Sequence, residues 1–161
     1  INSDTLIDTH GAYVIAPRNV AKQLNVPFVD ATKITHDIET GMGIEGSRKL
    51  HMWFMPGENP QVPKGKKDNT HYNVYGARVV AGALADAVAE QVPALKSHVC
   101  HYDYVVSAEG RGNFMDLQKA VDAVPVGKKA VIRILGGEWK KPIIAKGKKI
   151  KFVKSFGAKI K

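Results

Sequence analysis

Cysteine is nearly absent from this sequence, and long apolar runs are absent altogether. Cys100 is the one cysteine among 161 residues, so an intramolecular disulfide is excluded. No run of about 18 apolar residues occurs, so we expect no transmembrane helix and no membrane partner. A signal peptide is also missing, and the first residue is Ile1. We therefore expect that the chain enters a fold midway and that any targeting segment lies upstream.

Acidic side chains are scarce in the last third of the chain. Residues 1–100 hold ten basic and ten acidic side chains, whereas residues 101–161 hold 14 basic and five acidic ones. A chain of 161 residues that is 44% hydrophobic can form a single core. The charge asymmetry instead favours two units with different surroundings. We predict a first domain over residues 1–95, a junction over 96–101 and a second domain over 102–161.

Hydrophobic periodicity predicts an α/β first domain. Apolar residues at helical spacing indicate helices over about residues 13–24, 32–40 and 74–92, and Gly41-Met42-Gly43 breaks the second. Residues 26–30 form a short apolar run that predicts a buried strand. Residues 56–67 are predicted to be a loop, and the polar residues that follow continue it. The small residues of the third helix favour close packing against a sheet.

The second domain has a short α+β pattern. It predicts strands over about residues 102–106, 130–135 and 148–154, a tight turn at Gly110-Arg111-Gly112 and a helix over 114–124. The turn lacks the third glycine and the Lys-Ser/Thr signature of a phosphate-binding loop. Residues 98–101, HVCH, offer three possible metal ligands, but no second cluster supplies a fourth. We therefore predict no metal site and no cofactor.

Asp68 and His71 lie three residues apart in a polar stretch that leads into the third helix. A turn there would bring the carboxylate to one imidazole nitrogen and leave the other nitrogen facing a cleft. A carboxylate orients the catalytic histidine of a hydrolase in this way. The alternative is a helix N-terminus in which Asp68 or Asn69 caps the helix and His71 has no special role. Asp8 and His10 form a second Asp/His pair, which we interpret as a loop before a helix.

Residues 68–81, DNTHYNVYGARVVA, resemble the last motif block of the SGNH (GDSL-type) esterases, and most closely that of the rhamnogalacturonan acetylesterases. The resemblance covers about residues 5–95 and implies the C-terminal part of a three-layer α/β/α domain. It also implies a Ser-His-Asp triad in which His71 is the base and Asp68 orients it. The Gly-Asp-Ser block of that family, and the Gly and Asn blocks of its oxyanion hole, are missing here. We expect this chain alone to be nearly inactive, with an upstream segment supplying the serine.

An aromatic pair precedes this motif. Trp53 and Phe54 belong to the apolar cluster of residues 50–55. We predict that both line a sugar-binding cleft, because aromatic faces suit the apolar faces of sugar rings. Asn69, beside the Asp/His pair, is predicted to contact substrate with them. The alternative for the two aromatic residues is ordinary core packing.

Residues 104–114, YVVSAEGRGNF, and residues 117–125, LQKAVDAVP, resemble the opening of a pectin methylesterase. The resemblance covers about residues 102–137. It implies a strand, a Gly-x-Gly turn and a helix that cap a right-handed parallel β-helix. Lys141 stands where that family usually has Glu. The family's catalytic Asp pair, Gln and Arg would lie beyond Lys161, so none of its chemistry is assigned to this chain.

Residues 128–161 hold twelve Lys and Arg side chains and one acidic residue, Glu138. This segment has three interpretations: a solvated, partly disordered end, a cationic surface that attracts an acidic polysaccharide such as polygalacturonate, or a nucleic-acid site. The last is disfavoured because the basic run has no recognised reader motif, so we expect no nucleic-acid partner.

These patterns lead to one principal functional hypothesis. The chain is predicted to be a fragment of a carbohydrate esterase that deacetylates rhamnogalacturonan, with a pectic polysaccharide as its partner. One alternative is a non-catalytic module that binds anionic polysaccharide through the basic C-terminal segment. A second is a pectin methylesterase fragment. Because pectin-degrading esterases are usually secreted or periplasmic, the resemblance also implies that location.

Overall fold

The computed structural model describes residues 6–161. The chain divides into two compact units, one ending at Val99 and the other comprising Cys100–Lys161. The first unit contains helices α1 (Ile15–Leu24), α2 (Ala31–Leu50) and α3 (Val74–Gln91) and strands β1 (His51–Phe54) and β2 (Lys66–Tyr72). Short 3₁₀ helices lie at Gly11–Val14 and Pro93–His98. Among residues 6–161, no helix is both long enough and apolar enough to cross a membrane.

Helix α1 confirms the prediction for residues 13–24, with its first residues in a 3₁₀ turn. Pro17 lies in the first turn, where its missing N–H costs no helical hydrogen bond. Asn25 ends the helix in the left-handed conformation, with φ of 50°. Asparagine tolerates this conformation better than most residues, and the last carbonyls of the helix thereby gain a donor.

The strand predicted for residues 26–30 is wrong. Within the described chain these residues pair with no strand, and Asp30 instead caps α2 by accepting a hydrogen bond from the Lys33 N–H at 3.1 Å. Arg18 of α1 also donates to the Asp30 carboxylate at 2.9 Å. Pro27 has no N–H to contribute to a sheet. This segment therefore serves as a capped connection between two helices.

Helix α2 is interrupted at Gly43, which has φ of 67° and ψ of −179°. Glycine adopts this conformation at no steric cost, whereas other residues do so rarely. The predicted break at residues 41–43 is confirmed, but the helix resumes and continues to Leu50. The kink redirects the second half of α2, and this change of direction matters for the site described below.

Strands β1 and β2 form a two-stranded antiparallel sheet. The α/β class of this unit is therefore confirmed, while the three-layer α/β/α arrangement stays a prediction. Helix α3 confirms the predicted third helix, but it packs mainly against α2 rather than against the sheet. The two helices approach closely at Gly76, in the first turn of α3: a Cβ atom placed there would lie 2.1 Å from the Leu50 carbonyl oxygen.

A Gly76→Ala substitution is expected to lower the free energy of unfolding by about 3 kcal/mol, because the added methyl group would collide with backbone that cannot rotate away. Gly82→Ala is the matched control in the same helix. A Cβ atom there meets nothing within 4 Å, so alanine should raise the free energy of unfolding by about 0.5–1 kcal/mol. Urea denaturation of both variants measures the contrast. Equal midpoints would contradict the close packing of α3 on α2.

The second unit contains β3 (Tyr104–Val106), α4 (Leu117–Ala123), β4 (Lys129–Ile134), β5 (Gly137–Trp139), β6 (Lys149–Lys154) and β7 (Ala158–Ile160). Strands β3, β4 and β6 form a parallel sheet, and β5 pairs with β7 in a second parallel sheet. The strands and the helix predicted in this region are confirmed, with shifted ends. The interpretation of residues 128–161 as a partly disordered end is wrong, because four strands form there.

Alternation along β4 separates a buried face from an outer face. Ala130, Ile132 and Ile134 are buried, and they pack with residues of α4 in one apolar cluster. The alternate residues of the strand, Lys129, Val131 and Arg133, point the other way, as the two-residue period of a strand requires. Folding of this unit therefore places basic side chains on its surface in a fixed order.

Candidate functional site

The Asp/His pair lies in a bulge of β2 rather than in the loop that the sequence predicts. Met52 pairs with Asp68, but the preceding residue His51 pairs with Tyr72. Three residues, Asn69 to His71, therefore have no counterpart on β1 and project from the sheet. Bulges of this kind re-aim side chains and are common beside active sites. The bulge explains how a strand can present the Asp68 and His71 side chains to each other.

The Asp68 carboxylate is held from several sides. Its Oδ1 atom accepts hydrogen bonds from the backbone N–H groups of Thr70 at 2.8 Å and His71 at 2.9 Å. Its Oδ2 atom lies 2.9 Å from His71 Nδ1 and 3.0 Å from Lys66 Nζ. The Asp68 side chain is 14% exposed, whereas that of His71 is 70% exposed. The turn that the spacing predicts is therefore present.

This geometry determines which imidazole nitrogen is available. Because Asp68 faces Nδ1, that nitrogen carries the proton in the neutral ring and Nε2 is the basic atom. Among the described residues, Nε2 of His71 receives no hydrogen bond. An exposed imidazole with an oriented Nδ1 can accept a proton from a hydroxyl group that approaches Nε2.

The pKa of Asp68 is held well below its ordinary value of 3.8, first by the His71 backbone N–H, then by the Thr70 backbone N–H and next by Lys66. The stabilisation that this carboxylate provides is therefore complete above pH 3.8 and is lost as the pH falls through the lower pKa of the folded state.

A ¹³C NMR titration of the Asp68 carboxyl group should give a midpoint below 3.8. The substitution His71→Ala should leave the pKa of Asp68 low, because the backbone N–H groups of residues 70 and 71 remain. A return to the ordinary value in that variant would contradict this order of causes.

The capping alternative for Asp68 and Asn69 is wrong. Helix α3 begins at Val74, and Asn73 caps it by accepting a hydrogen bond from the Gly76 N–H at 2.9 Å. The Asn73 amide also donates to the backbone carbonyls of Lys49 at 2.8 Å and His51 at 2.7 Å. Asn73 thus anchors the end of the bulge to the α2–β1 connection. The sequence signal for it was a polar residue directly before an apolar helix.

The predicted substrate-contacting residues fall into two groups. Trp53 Nε1 donates a hydrogen bond to Asn69 Oδ1 at 2.6 Å, so these two side chains meet beside the bulge. The Arg48 guanidinium lies 4.5 Å from the centre of the Trp53 ring, and Lys67 Nζ lies 5.8 Å from it. Phe54 follows Trp53 in β1, so alternation directs it to the opposite face of the strand. The structure therefore brings Trp53 and Asn69 together but separates Phe54 from them.

The second Asp/His pair, Asp8 and His10, also forms a contact. His10 Nδ1 lies 2.8 Å from Asp8 Oδ1, and the side chains are 67% and 45% exposed respectively. These residues lie in a loop before the 3₁₀ turn at Gly11–Val14. The interpretation as a loop before a helix is confirmed. The pair has the same chemistry as Asp68 and His71 but lies outside the strand bulge.

A buried polar cluster beneath the bulge has no counterpart in the sequence analysis. Glu39 of α2 is 11% exposed. Its carboxylate accepts hydrogen bonds from the hydroxyl groups of Tyr72 at 2.7 Å and Ser47 at 3.0 Å. His51 Nε2 lies 3.2 Å from the same carboxylate, within ion-pair distance but not aligned as a hydrogen bond. The His51 ring also stacks on Tyr72, with ring centres 4.8 Å apart. Burial, followed by the contact with Glu39, raises the pKa of Tyr72.

The kink in α2 makes this cluster possible. Residues eight apart in a straight helix are separated by about 12 Å along the axis, which is too far for Ser47 to reach Glu39. The interruption at Gly43 allows the contact. Because Tyr72 directly follows His71, the cluster fixes one end of the bulge. Glu39 and Tyr72 are 33 residues apart, so no local pattern could have indicated their contact.

Two further kinds of catalytic group could act beside His71: a nucleophilic serine and a set of metal ligands. Ser47 donates to Glu39 and not to His71, and Ser3 lies outside the described residues. Between residues 6 and 161, no group of three or more His, Cys, Asp or Glu side chains is arranged to hold a metal ion. Among the side chains of this site, the oriented imidazole of His71 can transfer a proton through Nε2.

A stretch of 103 residues is 38% identical to rhamnogalacturonan acetylesterase RhgT from Bacillus subtilis (strain 168). That stretch is similar to a carbohydrate esterase. The match covers 64% of this chain and 42% of the Bacillus relative, so the chain spans less than half of the relative's length. Any continuous 103 residues of a 161-residue chain include residues 59–103, so the match to RhgT contains Asp68 and His71. No family model and no solved structure matches the chain.

Proposed function

We propose that this chain is part of a carbohydrate esterase that removes acetyl groups from pectic rhamnogalacturonan. One observation carries the proposal. The carboxylate–imidazole pair of Asp68 and His71, with Oδ2 and Nδ1 2.9 Å apart, lies within the region that is similar to a rhamnogalacturonan acetylesterase. The similarity supports the reaction class, and the hydrogen-bond geometry supports the roles of the two side chains.

In the proposed mechanism, Nε2 of His71 takes the proton from a serine hydroxyl as the serine oxygen attacks the acetyl carbonyl. The same nitrogen then gives this proton to the sugar oxygen that leaves. A water molecule releases acetate from the serine by the reverse sequence of proton transfers. Asp68 keeps the imidazole in the required tautomer and stabilises the imidazolium form. The depressed pKa of Asp68 supports this role, because its carboxylate stays ionised throughout the neutral range.

We assign the serine and the oxyanion-binding groups to a segment that precedes the residues of this chain. Such a segment would also supply the strands needed for a three-layer α/β/α domain. We therefore expect the 161 residues alone to have almost no esterase activity, because a triad without its nucleophile loses most of its catalytic power. A secreted or periplasmic location follows only from the resemblance to pectin-degrading esterases.

Trp53 and Asn69 are proposed to contact the polysaccharide beside His71. Their mutual hydrogen bond holds the indole next to the bulge, and Lys67 is exposed nearby. A positive side chain there suits a substrate whose backbone contains uronic acids. Phe54 is retained as a weaker candidate, because its strand position directs it to the other face of β1.

For residues 102–137 we propose a relationship to the start of a pectin methylesterase, with β3 and α4 as the cap of a parallel β-helix. The order of strand, glycine turn, helix and strand supports this proposal, as does the parallel pairing of β3, β4 and β6. Both parts of the chain would then derive from enzymes that act on esters of one polymer. The residues of a pectin methylesterase active site would not be among these 161.

Acetate release from acetylated rhamnogalacturonan tests the esterase proposal. The 161-residue chain should release almost none. A chimera in which the part of the Bacillus relative that lies outside the matched region is joined to this chain should release acetate. If the folded chimera is inactive, or if its activity does not depend on His71, the proposed function is wrong.

A further inference from the structure

Three lysines occupy one outer face of the parallel sheet in the second unit. The register of β4 and β6 pairs Lys129 with Lys149 and Val131 with Lys151. Ala130, which lies between Lys129 and Val131 in β4, is buried. The side chains of Lys129, Lys149 and Lys151 are all exposed. We call these three side chains the lysine face. Paired residues on neighbouring strands are about 4.8 Å apart, and alternate residues along a strand are about 6.6 Å apart.

The lysine face borders a groove of about 570 Å³ at the start of β4 and β6. Its lining consists of Asp103, Lys129, Ala130, Val131, Lys149, Ile150 and Lys151. The Asp103 carboxylate accepts a hydrogen bond from the Val131 backbone N–H at 2.7 Å. Three ammonium groups and one carboxylate give the groove a net positive charge. Val131, which pairs with Lys151, adds an aliphatic side chain on the same outer face.

Within residues 6–161, the three side chains of the lysine face make no hydrogen bond or ion pair, whereas neighbouring basic side chains do. Lys148 donates to the backbone carbonyls of Val121 and Asp122, each at 2.9 Å. Lys161 pairs with Glu138 at 2.6 Å. The strand register holds the lysine face close together despite mutual repulsion, an arrangement that an anionic ligand would relieve.

We propose that the lysine face binds the carboxylates of a polyuronate chain, the de-esterified form of a pectic polysaccharide. The exposed lysines match several negative charges spaced along one polymer. The aliphatic side chain of Val131, on the same outer face as the three lysines, suits the apolar face of a sugar ring. Single-stranded nucleic acids are normally bound with aromatic side chains on which bases stack, and the groove lining contains no aromatic residue. This inference concerns the second unit and goes beyond the proposed esterase activity.

Multivalency makes the proposal specific for a polymer. One exposed lysine–carboxylate pair contributes little in water. Several pairs on one chain act together, because binding of the first raises the effective concentration of the others. We therefore expect long polygalacturonate to bind at least about tenfold more tightly than galacturonate monomer. Raising the salt concentration should weaken binding of the polymer.

The test measures binding of the 161-residue chain to polygalacturonate by isothermal titration calorimetry. The variant Lys129→Gln/Lys149→Gln/Lys151→Gln should bind roughly tenfold more weakly. The control Lys140→Gln/Lys141→Gln/Lys146→Gln removes the same charge from three exposed residues outside the groove lining and should change binding by less than about threefold. Circular dichroism checks that both variants remain folded.

Three outcomes would overturn the proposal. They are no binding by the unmodified chain, equal losses in the two triple variants, and tighter binding of heparin or single-stranded DNA than of polygalacturonate with the same dependence on the lysine face. Fully methyl-esterified pectin, which lacks the free carboxylates, should not bind. The assay contains no acetyl ester, so its failure would leave the proposed esterase function untouched, and inactivity of the chimera would leave this proposal untouched.

Discussion

In an active chimera, His71→Ala is expected to lower kcat for acetyl-ester hydrolysis by about 10⁴–10⁶-fold, because loss of the base removes the concerted action of the triad. Asp68→Asn should lower kcat by about 10⁴-fold, since an amide permits the wrong imidazole tautomer. KM should change little in both variants, as neither side chain is assigned to substrate binding. Initial rates of acetate release over a range of substrate concentrations separate the two constants.

Asp8 and His10 provide the matched control for this experiment. His10 Nδ1 contacts Asp8 Oδ1 at 2.8 Å, as His71 contacts Asp68, but in an exposed loop. His10→Ala should leave kcat within about threefold of the unmodified chimera, as expected for a residue outside the triad. If His10→Ala were as damaging as His71→Ala, or if His71→Ala kept a tenth of the activity, the assignment of the base would be wrong.

Glu39→Ala is expected to lower the free energy of unfolding of the chain by about 3 kcal/mol. The substitution leaves the hydroxyl groups of Tyr72 and Ser47 without their acceptor and His51 without its carboxylate. Buried polar groups that lose their partners carry the full cost of desolvation. Urea denaturation measures the effect. In the chimera the same variant should also reduce activity, because Tyr72 holds the end of the bulge that presents His71.

Glu45→Ala is the control for Glu39→Ala on the same helix. Glu45 is 79% exposed and contacts Arg48 at the surface. An exposed ion pair contributes about 0–1 kcal/mol, so Glu45→Ala should change the free energy of unfolding by less than about 1 kcal/mol. Equal effects of the two substitutions would show that the Glu39 cluster does not hold α2 to the sheet. A Glu39→Gln variant, which retains an acceptor oxygen, should fall between them.

The hydrogen bond between Asp68 and His71 is the part of the site that could be predicted from sequence. The two residues are three apart, so a single turn suffices to join them, and the residues between them are short and polar. Helices α1 and α3 were predictable for a similar reason, because their apolar spacing and their ends are local features. The uneven charge of the chain likewise predicted a basic second part without reference to any contact.

Long-range pairing decided the rest. The strand bulge arises from the register of β2 against β1, and the same alternation separates Phe54 from Trp53. Residues 26–30 are as apolar as a buried strand, but with no partner strand among the described residues they became a connection. The packing of α3 on α2 depends on Gly76 and Leu50, which are distant in sequence.

The sequence alone determined which chemical groups this protein has and which of them can meet through a single turn: a carboxylate beside a histidine, and a surplus of lysines. The tertiary structure alone decided which groups meet across many residues. The kink at Gly43 brings Ser47 to Glu39, and Tyr72 reaches the same carboxylate from 33 residues away. Parallel pairing places Lys129 beside Lys149. Local hydrogen bonds follow from spacing along the chain, whereas these contacts depend on the register of whole elements, which no single segment encodes.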